Sequence, residues 1–238
     1  MTLRSKLEKA KNQGYIRTLE VVFNRFIPPW IFRYSKGDIY EFDIEKLKAL
    51  GNPSKPATND GLIAKCHEYS PDNSLNAERM RLREFTWNTV PLATTNNDLA
   101  YGIFDASEPE KILGGLWAAV GSFSENNLGV EFDFADHQAW LYCAYVHDEA
   151  RGRGVYKKLI SFAARDLEQR GFSKLYGIVQ PWNKISRLMH EKQSRGIRGR
   201  MSATRVASFA WISHTGNLQV DRRLVTDIKS QPASVIIN

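Results

Sequence analysis

The chain has 238 residues, 42% of them hydrophobic, a formal net charge of +7 and only two cysteines. That composition is ordinary for a globular protein and long enough to bury a core, as one domain with an attachment or as two small ones. No stretch approaches the uninterrupted apolar length of a membrane span, and no Cys/His cluster has metal-ligand spacing, so neither a spanning helix nor a metal is expected.

Cys66 and Cys143 both fall in apparent strands, where free thiols are expected rather than a disulfide. The early residues are charged and carry no signal-peptide pattern, so a cytoplasmic location is expected. The charge is uneven. Residues 1–36 hold eight Lys/Arg against two Glu, and residues 184–205 hold seven against one Glu, so the remainder is net negative.

In chain order, Tyr15, Leu19, Val22, Phe23 and Phe26 recur at helical spacing, and Pro28-Pro29 stops that helix. Its stripe has two readings. It packs on the domain or on a second copy, giving a homodimer, or it lies on an anionic membrane surface as a peripheral contact. Residues 37–43 alternate like a strand, 52–61 read as a linker, and 62–67 read as a strand. Asn73 or Ser74 caps a helix reaching Trp87. Residues 99–104 and 112–120 form a hairpin around 107–110, and 127–134 is ambiguous. A strand over 138–146 meets a turn with two glycines and then a helix from Val155, with Leu159, Phe162, Ala163 and Leu167 on one face. Gly171 is its left-handed stop. A strand at 174–179, a helix from Asn183, a basic loop over 195–200 and two strands, 206–213 and 218–225, complete the order. The tail from Ser230 is expected to be loose.

The strand, glycine turn and helix at 140–159 suit a phosphate group. Glycines let backbone N–H groups approach an anion, and the helix start adds unpaired N–H groups and the positive end of its dipole. The turn is not a nucleoside-triphosphate loop, since no Gly-Lys-Ser/Thr follows, nor a dinucleotide fingerprint, since a third glycine is missing. Arg151-Gly152-Arg153-Gly154-Val155 resembles the Arg/Gln-x-x-Gly-x-Gly/Ala motif of the GNAT superfamily of acyl-CoA-dependent N-acetyltransferases, with Tyr156 where Gly or Ala is usual. Asn183, Ser186, Met189, Glu191 and Lys192 resemble that family's second pattern, with His190 in the place of its Tyr.

The resemblance implies a mixed α/β fold over about 61–225, a GNAT-like central mixed sheet flanked by helices. Residues 1–60 are then an N-terminal extension and 226–238 a loose tail. It implies acetyl-CoA or another acyl-CoA as co-substrate. Ala144, Tyr145 and Val146 then pair with pantetheine, and Arg151, Gly152, Arg153, Gly154, Val155 and Tyr156 hold pyrophosphate. Asn183 caps its helix and helps close the site, and Arg187 and Arg195 either reach cofactor phosphate or face solvent.

Amine acetylation also wants a proton donor for the thiolate and a base for the amine. His190 is the candidate donor, with Tyr176 as substitute, because an imidazole exchanges a proton near neutrality. Glu131 is the candidate base, ahead of Asp133 and His137. The function implied is transfer of an acetyl or other acyl group to a primary amine of a small molecule or peptide. The alternative is a GNAT-like CoA-binding protein without turnover, serving regulation or attachment. A nucleic-acid partner is disfavoured, since no stacking aromatics interleave residues 195–200.

Overall fold

The computed structural model describes residues 27, 31–51, 61–71, 76–91, 94–125, 128–227 and 231–238. The elements up to the glycine turn are β1 (Phe32–Phe42), α1 (Ile44–Ala49), β2 (Leu62–His67), α2 (Ala77–Phe85), β3 (Leu99–Asp105), β4 (Ile112–Val120), β5 (Ser122–Glu125), β6 (Val130–Asp133) and β7 (Gln138–Val146). After the turn come α3 (Val155–Gln169), β8 (Lys174–Val179), α4 (Lys184–Gln193), β9 (Ser194–Val206), β10 (Phe209–Gly216), β11 (Leu218–Val220), β12 (Leu224–Val225) and β13 (Ala233–Ile237).

Nine strands form one sheet in the order β12-β10-β9-β1-β8-β7-β4-β3-β2. Only β7 and β8 are parallel neighbours in it. Parallel neighbours need a crossover, and α3 supplies it. The helix buries Val155, Leu159, Ala163 and Leu167 against the sheet. Gly171 ends it at φ +93, with its N–H bonded to Glu168 and that of Phe172 to Leu167. That pair of bonds is the Schellman pattern, which satisfies the last carbonyls of a helix. The fold is the mixed α/β sheet with flanking helices that the sequence implies.

Two hydrophobic clusters divide the core. One lies under α1 and α3 and holds Phe42, Leu47, Tyr101, Leu113, Leu141 and Leu175. The other faces α2 and a second sheet of order β11-β13-β6-β5. There Trp140 stacks on Phe132 at 4.6 Å and on Phe123 at 5.6 Å, between ring centroids. Consecutive glycines in β4 admit helices on both faces. A Cβ on Gly114 would stand 2.8 Å from Val155 of α3, and one on Gly115 would stand 2.5 Å from Thr86 beside α2. Gly115→Val is therefore expected to destabilise the protein by about 1–3 kcal/mol, the usual cost of overpacking. Urea unfolding of the variant checks this.

Four expectations are corrected. The described part of 1–60 is not a separate extension, because β1 lies between β8 and β9 and pairs with both. Packing of α1 on α3 ties the same region down, with Ser161 Oγ donating to the Lys48 carbonyl at 2.9 Å. Residues 195–200 are not a loop but part of β9. Arg198 pairs with the buried Glu41, and Arg200 lies 3.2 Å from Asp38. Cross-strand acids therefore neutralise charges that disguise the strand in the sequence. The turn of the last long hairpin falls at Ala207 and Ser208, so β9 and β10 run earlier than expected. Finally, 226–238 is not all loose, since β13 pairs with β6 and β11 and buries Ala233, Val235 and Ile237.

The helix with the stripe from Tyr15 to Phe26, Pro28-Pro29, residues 52–60 and the caps Asn73 and Ser74 lie outside the described residues. Among the described residues no helix is long and apolar enough to cross a membrane. Cys66 and Cys143 are free, on β2 and β7 with two strands between them. Burial pushes the Cys66 thiol up to about 12 and the Cys143 thiol up to about 11.

Candidate functional site

The glycine turn sits where β7 gives way to α3. Gly152 and Gly154 have φ +81 and +79, the left-handed region that glycine enters without strain. A Cβ at either position would meet nothing within 4 Å, so the space above the turn is open. Gly154 is the N-cap of α3, and the first intrahelical bond is from Lys158 N–H to its carbonyl, at 3.0 Å. The N–H groups of Val155, Tyr156 and Lys157 are thus the unpaired starts of a helix, and those of Gly152 and Gly154 bond to no other backbone group. Five adjacent donors at the positive end of a 15-residue helix form an anion cradle.

Side chains agree with that geometry. Arg151 and Arg153 are exposed; Arg151 lies 2.6 Å from Asp148 and Arg153 lies 3.8 Å from Asp105. Tyr156, the departure from the family motif, turns away from the cradle. Its hydroxyl lies 3.4 Å from Gln193 at the end of α4, and burial pushes it up to about 12. The bulky ring therefore leaves the glycine face clear.

Beside the turn the sheet opens. β7 and β8 pair only at Gln138–Lys174, Ala139–Leu175 and Trp140–Tyr176. Beyond Trp140, residues 141–146 of β7 have no β8 partner, while β8 goes on pairing with β1. Opposite β4 the register slips, so that Cys143 and Ala144 face Leu116 alone. Cys143 has φ +49, which marks a β-bulge and increases the local twist. Ala144 is exposed, Tyr145 and Val146 are half-buried, and all three lie on this unpaired run. The result is a cleft that starts at Trp140 and Tyr176 and opens toward the glycine turn.

Asn183 caps α4, its side chain accepting from Ser186 N–H at 3.2 Å. Arg187 donates to Glu191 at 3.2 Å and to the Pro181 carbonyl at 3.4 Å. His190 packs on Phe42 and Tyr40 of β1, with ring centroids 4.9 and 5.6 Å away. Its Nδ1 lies 2.7 Å from the Ser186 carbonyl, an acceptor only, so Nδ1 carries the hydrogen. Burial holds the imidazole below its usual range, against the bond to Ser186. The neutral ring then presents a bare Nε2, and this opposes its expected role as proton donor. Tyr176 is fully buried at the closed end of the cleft.

Glu131 is corrected as base. It lies on β6 between the inward-facing Val130 and Phe132, and strand alternation turns it to the outer face of the second sheet. His137 lies at the opposite end of β7 from the turn, where its carbonyl accepts from Ser173 and Lys174.

A buried polar network escapes sequence reasoning. Arg79 of α2 donates to the Asp98 and His67 carbonyls at 2.6 and 3.1 Å and also to that of Thr95. Its guanidinium lies 4.7 Å from the Trp117 ring centroid. The Tyr142 hydroxyl donates to the Asp98 carboxylate and accepts from Asn88 at 3.3 Å. Burial pushes Asp98 up to about 6, opposed by Tyr142 and Arg79. These residues are scattered over 67–142, and no local spacing announces them.

The family model described as "Acetyltransferase (GNAT) family" matches residues 66–194. Among curated proteins no sequence matches this one. Similar solved structures include a GCN5-related N-acetyltransferase-like protein from Streptococcus suis, 11% identical, at TM-score 0.44 over 79% of this chain and 68% of that one. A GCN5-related N-acetyltransferase from Kribbella flavida is 12% identical, at TM-score 0.42 over 82% and 61%. A functionally unknown conserved protein from Staphylococcus epidermidis is 9% identical, at TM-score 0.46 over 78% and 66%. The family match spans more than half of the chain and takes in the glycine turn, the open cleft and the Asn183 cap. On that match, the chain belongs to the GNAT acetyltransferase family.

Proposed function

We propose that the protein is an acyl-CoA-dependent N-acyltransferase that moves an acetyl or other acyl group onto a primary amine. The observation that supports this most is the cleft between β7 and β8, which opens onto five free N–H donors at the start of α3. The cradle of residues 152–157 would hold the pyrophosphate, with Arg151 and Arg153 adding charge. The edge of Ala144, Tyr145 and Val146 that has no β8 partner would pair with the pantetheine amides as a missing strand would. An acyl-CoA supplies a thioester carbonyl, at which the amide C–N bond forms as the C–S bond breaks. A backbone N–H near the bulge at Cys143 and Ala144 stabilises charge developing on that carbonyl oxygen, a contribution such donors make without reorganisation.

Titration calorimetry with acetyl-CoA and desulfo-CoA, followed by thiol release with a panel of amines, tests the reading. Saturable nucleotide binding and amine-dependent thiol release are expected. Absence of nucleotide binding in a folded sample sinks the proposal. His190 fills space between α4 and β1 rather than giving up a proton. His190→Phe is accordingly expected to keep turnover well within the roughly 100-fold loss that removing a general acid produces. Steady-state kinetics across pH 6–8 check this.

A further inference from the structure

Trp87 follows α2 at φ +52, a left-handed conformation unusual for a bulky residue. Such conformations persist where the surroundings over-determine them, and they gather at binding sites. Burial does not explain this one, since Trp87 is 72% exposed. Its neighbours hold it there. Thr86 and Asn88 are both buried. Thr86 Oγ1 donates to the Leu82 carbonyl at 2.8 Å and accepts from Trp117 Nε1 at 3.0 Å. Asn88 donates from its backbone to the Arg83 carbonyl at 3.0 Å and from its side chain to the Tyr142 hydroxyl. The Asn88 side-chain oxygen accepts from Val90 N–H at 3.0 Å. The anchors on both sides are thus fixed to β4 and β7, and the indole between them is left facing solvent.

The indole forms the outer layer of a stack of rings. Trp87 lies over Tyr145 at 5.5 Å with 25° between the planes. Phe85 meets Tyr145 edge-on at 5.3 Å and stacks with His147 at 6.4 Å and 24°. Tyr145 belongs to the run of β7 that has no β8 partner, two residues past the bulge at Cys143. It pairs with Gly115, whose bare Cα admits Thr86 and Phe85, whereas the neighbouring Gly114 admits Val155 of α3. The ring stack and the anion cradle therefore lie on opposite faces of the sheet, with the open backbone of β7 between them. Glu149 puts a carboxylate 4.0 Å from His147 at the far end of the stack.

We infer that the Trp87–Tyr145 shelf binds the ring of the acceptor, and that the acceptor class is a primary amine borne on a flat, apolar-faced ring. This rests on the acyl-transfer reading for what happens to the amine, but not for its binding. A ring laid on the exposed indole gains stacking, and its ammonium gains from the π faces and the nearby carboxylate. From there its nitrogen is directed at the edge of β7 where the acyl carbonyl would lie. An aromatic ring and the apolar face of an amino sugar share this chemistry.

Saturation-transfer NMR on the full chain, with phenethylamine, glucosamine and spermidine as probes, separates the classes without requiring turnover. At least one ring-bearing amine is expected to receive saturation more strongly than spermidine. The variant Trp87→Gly removes the ring and places at φ +52 the residue that adopts it freely. It is expected to keep or raise Tm, to leave acetyl-CoA affinity unchanged, and to weaken the ring-bearing amine about tenfold, a loss in the range of one stacking contact. Trp87→Phe recovers part of that affinity. Spermidine binding as well as both ring-bearing amines, or unchanged ring-amine affinity in Trp87→Gly, overturns the inference. Failure of acetyl-CoA to bind overturns the acyl-transfer reading and leaves the amine measurement to decide the shelf.

Discussion

Gly154→Asp is expected to cut acyl-CoA affinity about 100-fold, or about 2.7 kcal/mol, while the fold survives. The carboxylate would stand over the five free N–H groups of residues 152–157, in the open space where a pyrophosphate would lie. Two like charges about 4 Å apart repel by roughly 4 kcal/mol at the effective dielectric of a protein surface, so charge alone accounts for the loss. Gly154→Asn separates charge from backbone. Asn and Asp both tolerate φ near +79 better than other side chains, and the two are nearly the same size. Calorimetry should therefore rank wild type above Asn, with Asp far below. Equal losses for Asn and Asp would assign the effect to shape and remove the anion-cradle argument.

The largest effect on stability is expected at Arg79. Its guanidinium is buried, bonds three carbonyls and lies over Trp117. Arg79→Met leaves those carbonyls without their donor and Asp98 without its nearest positive charge. Buried acceptors left without a partner cost about 1–3 kcal/mol each, so a loss of about 3–5 kcal/mol is expected. At roughly 2–4 °C per kcal/mol for a chain of this size, Tm falls by roughly 6–20 °C. The double variant with Asp98→Asn should recover part of that.

Asp98 also has a pH signature. Burial raises its carboxyl to about 6, above the value of about 4 in an unfolded chain. Between those values the folded protein keeps a proton that the unfolded chain has lost. This group's contribution therefore falls as pH rises through about 4 to 6, by up to about 3 kcal/mol, and is level above pH 7. The groups acting on it are Tyr142 and Arg79, neither of which titrates in that window. Urea unfolding of wild type and Asp98→Asn from pH 4.5 to 7.5 reads the difference, in which His67 and His190 cancel. Parallel curves would show that Asp98 is ionised throughout.

The glycine turn, the helix behind it and the Asn183 cap were legible because their causes are local. Left-handed glycines, an apolar face recurring every three or four residues, and a side chain accepting from an N–H three residues on all lie within one short window. The departure at Tyr156 was legible as a departure but not as harmless, because Gln193, its partner, comes from another helix. His190 stood at the right place in the motif. Only the distance from its Nδ1 to the Ser186 carbonyl shows which ring nitrogen holds the hydrogen. Glu131 was acidic and near the central strand in sequence, yet β6 belongs to the other sheet.

By itself, then, the sequence determined the family-defining βαβ unit, the glycine turn and the apolar face of its helix. Each follows from dihedral preference and periodicity within a few residues. The tertiary structure alone decided what depends on pairing between distant segments. It inserted β1 between β8 and β9, made a strand of the arginine-rich run by placing Glu41 and Asp38 opposite it, and recruited the tail as β13. It also bulged β7 at Cys143 and set Trp87 upon Tyr145. Register, cross-strand charge neutralisation and ring stacking are properties of two chain segments at once, and neither segment carries them alone.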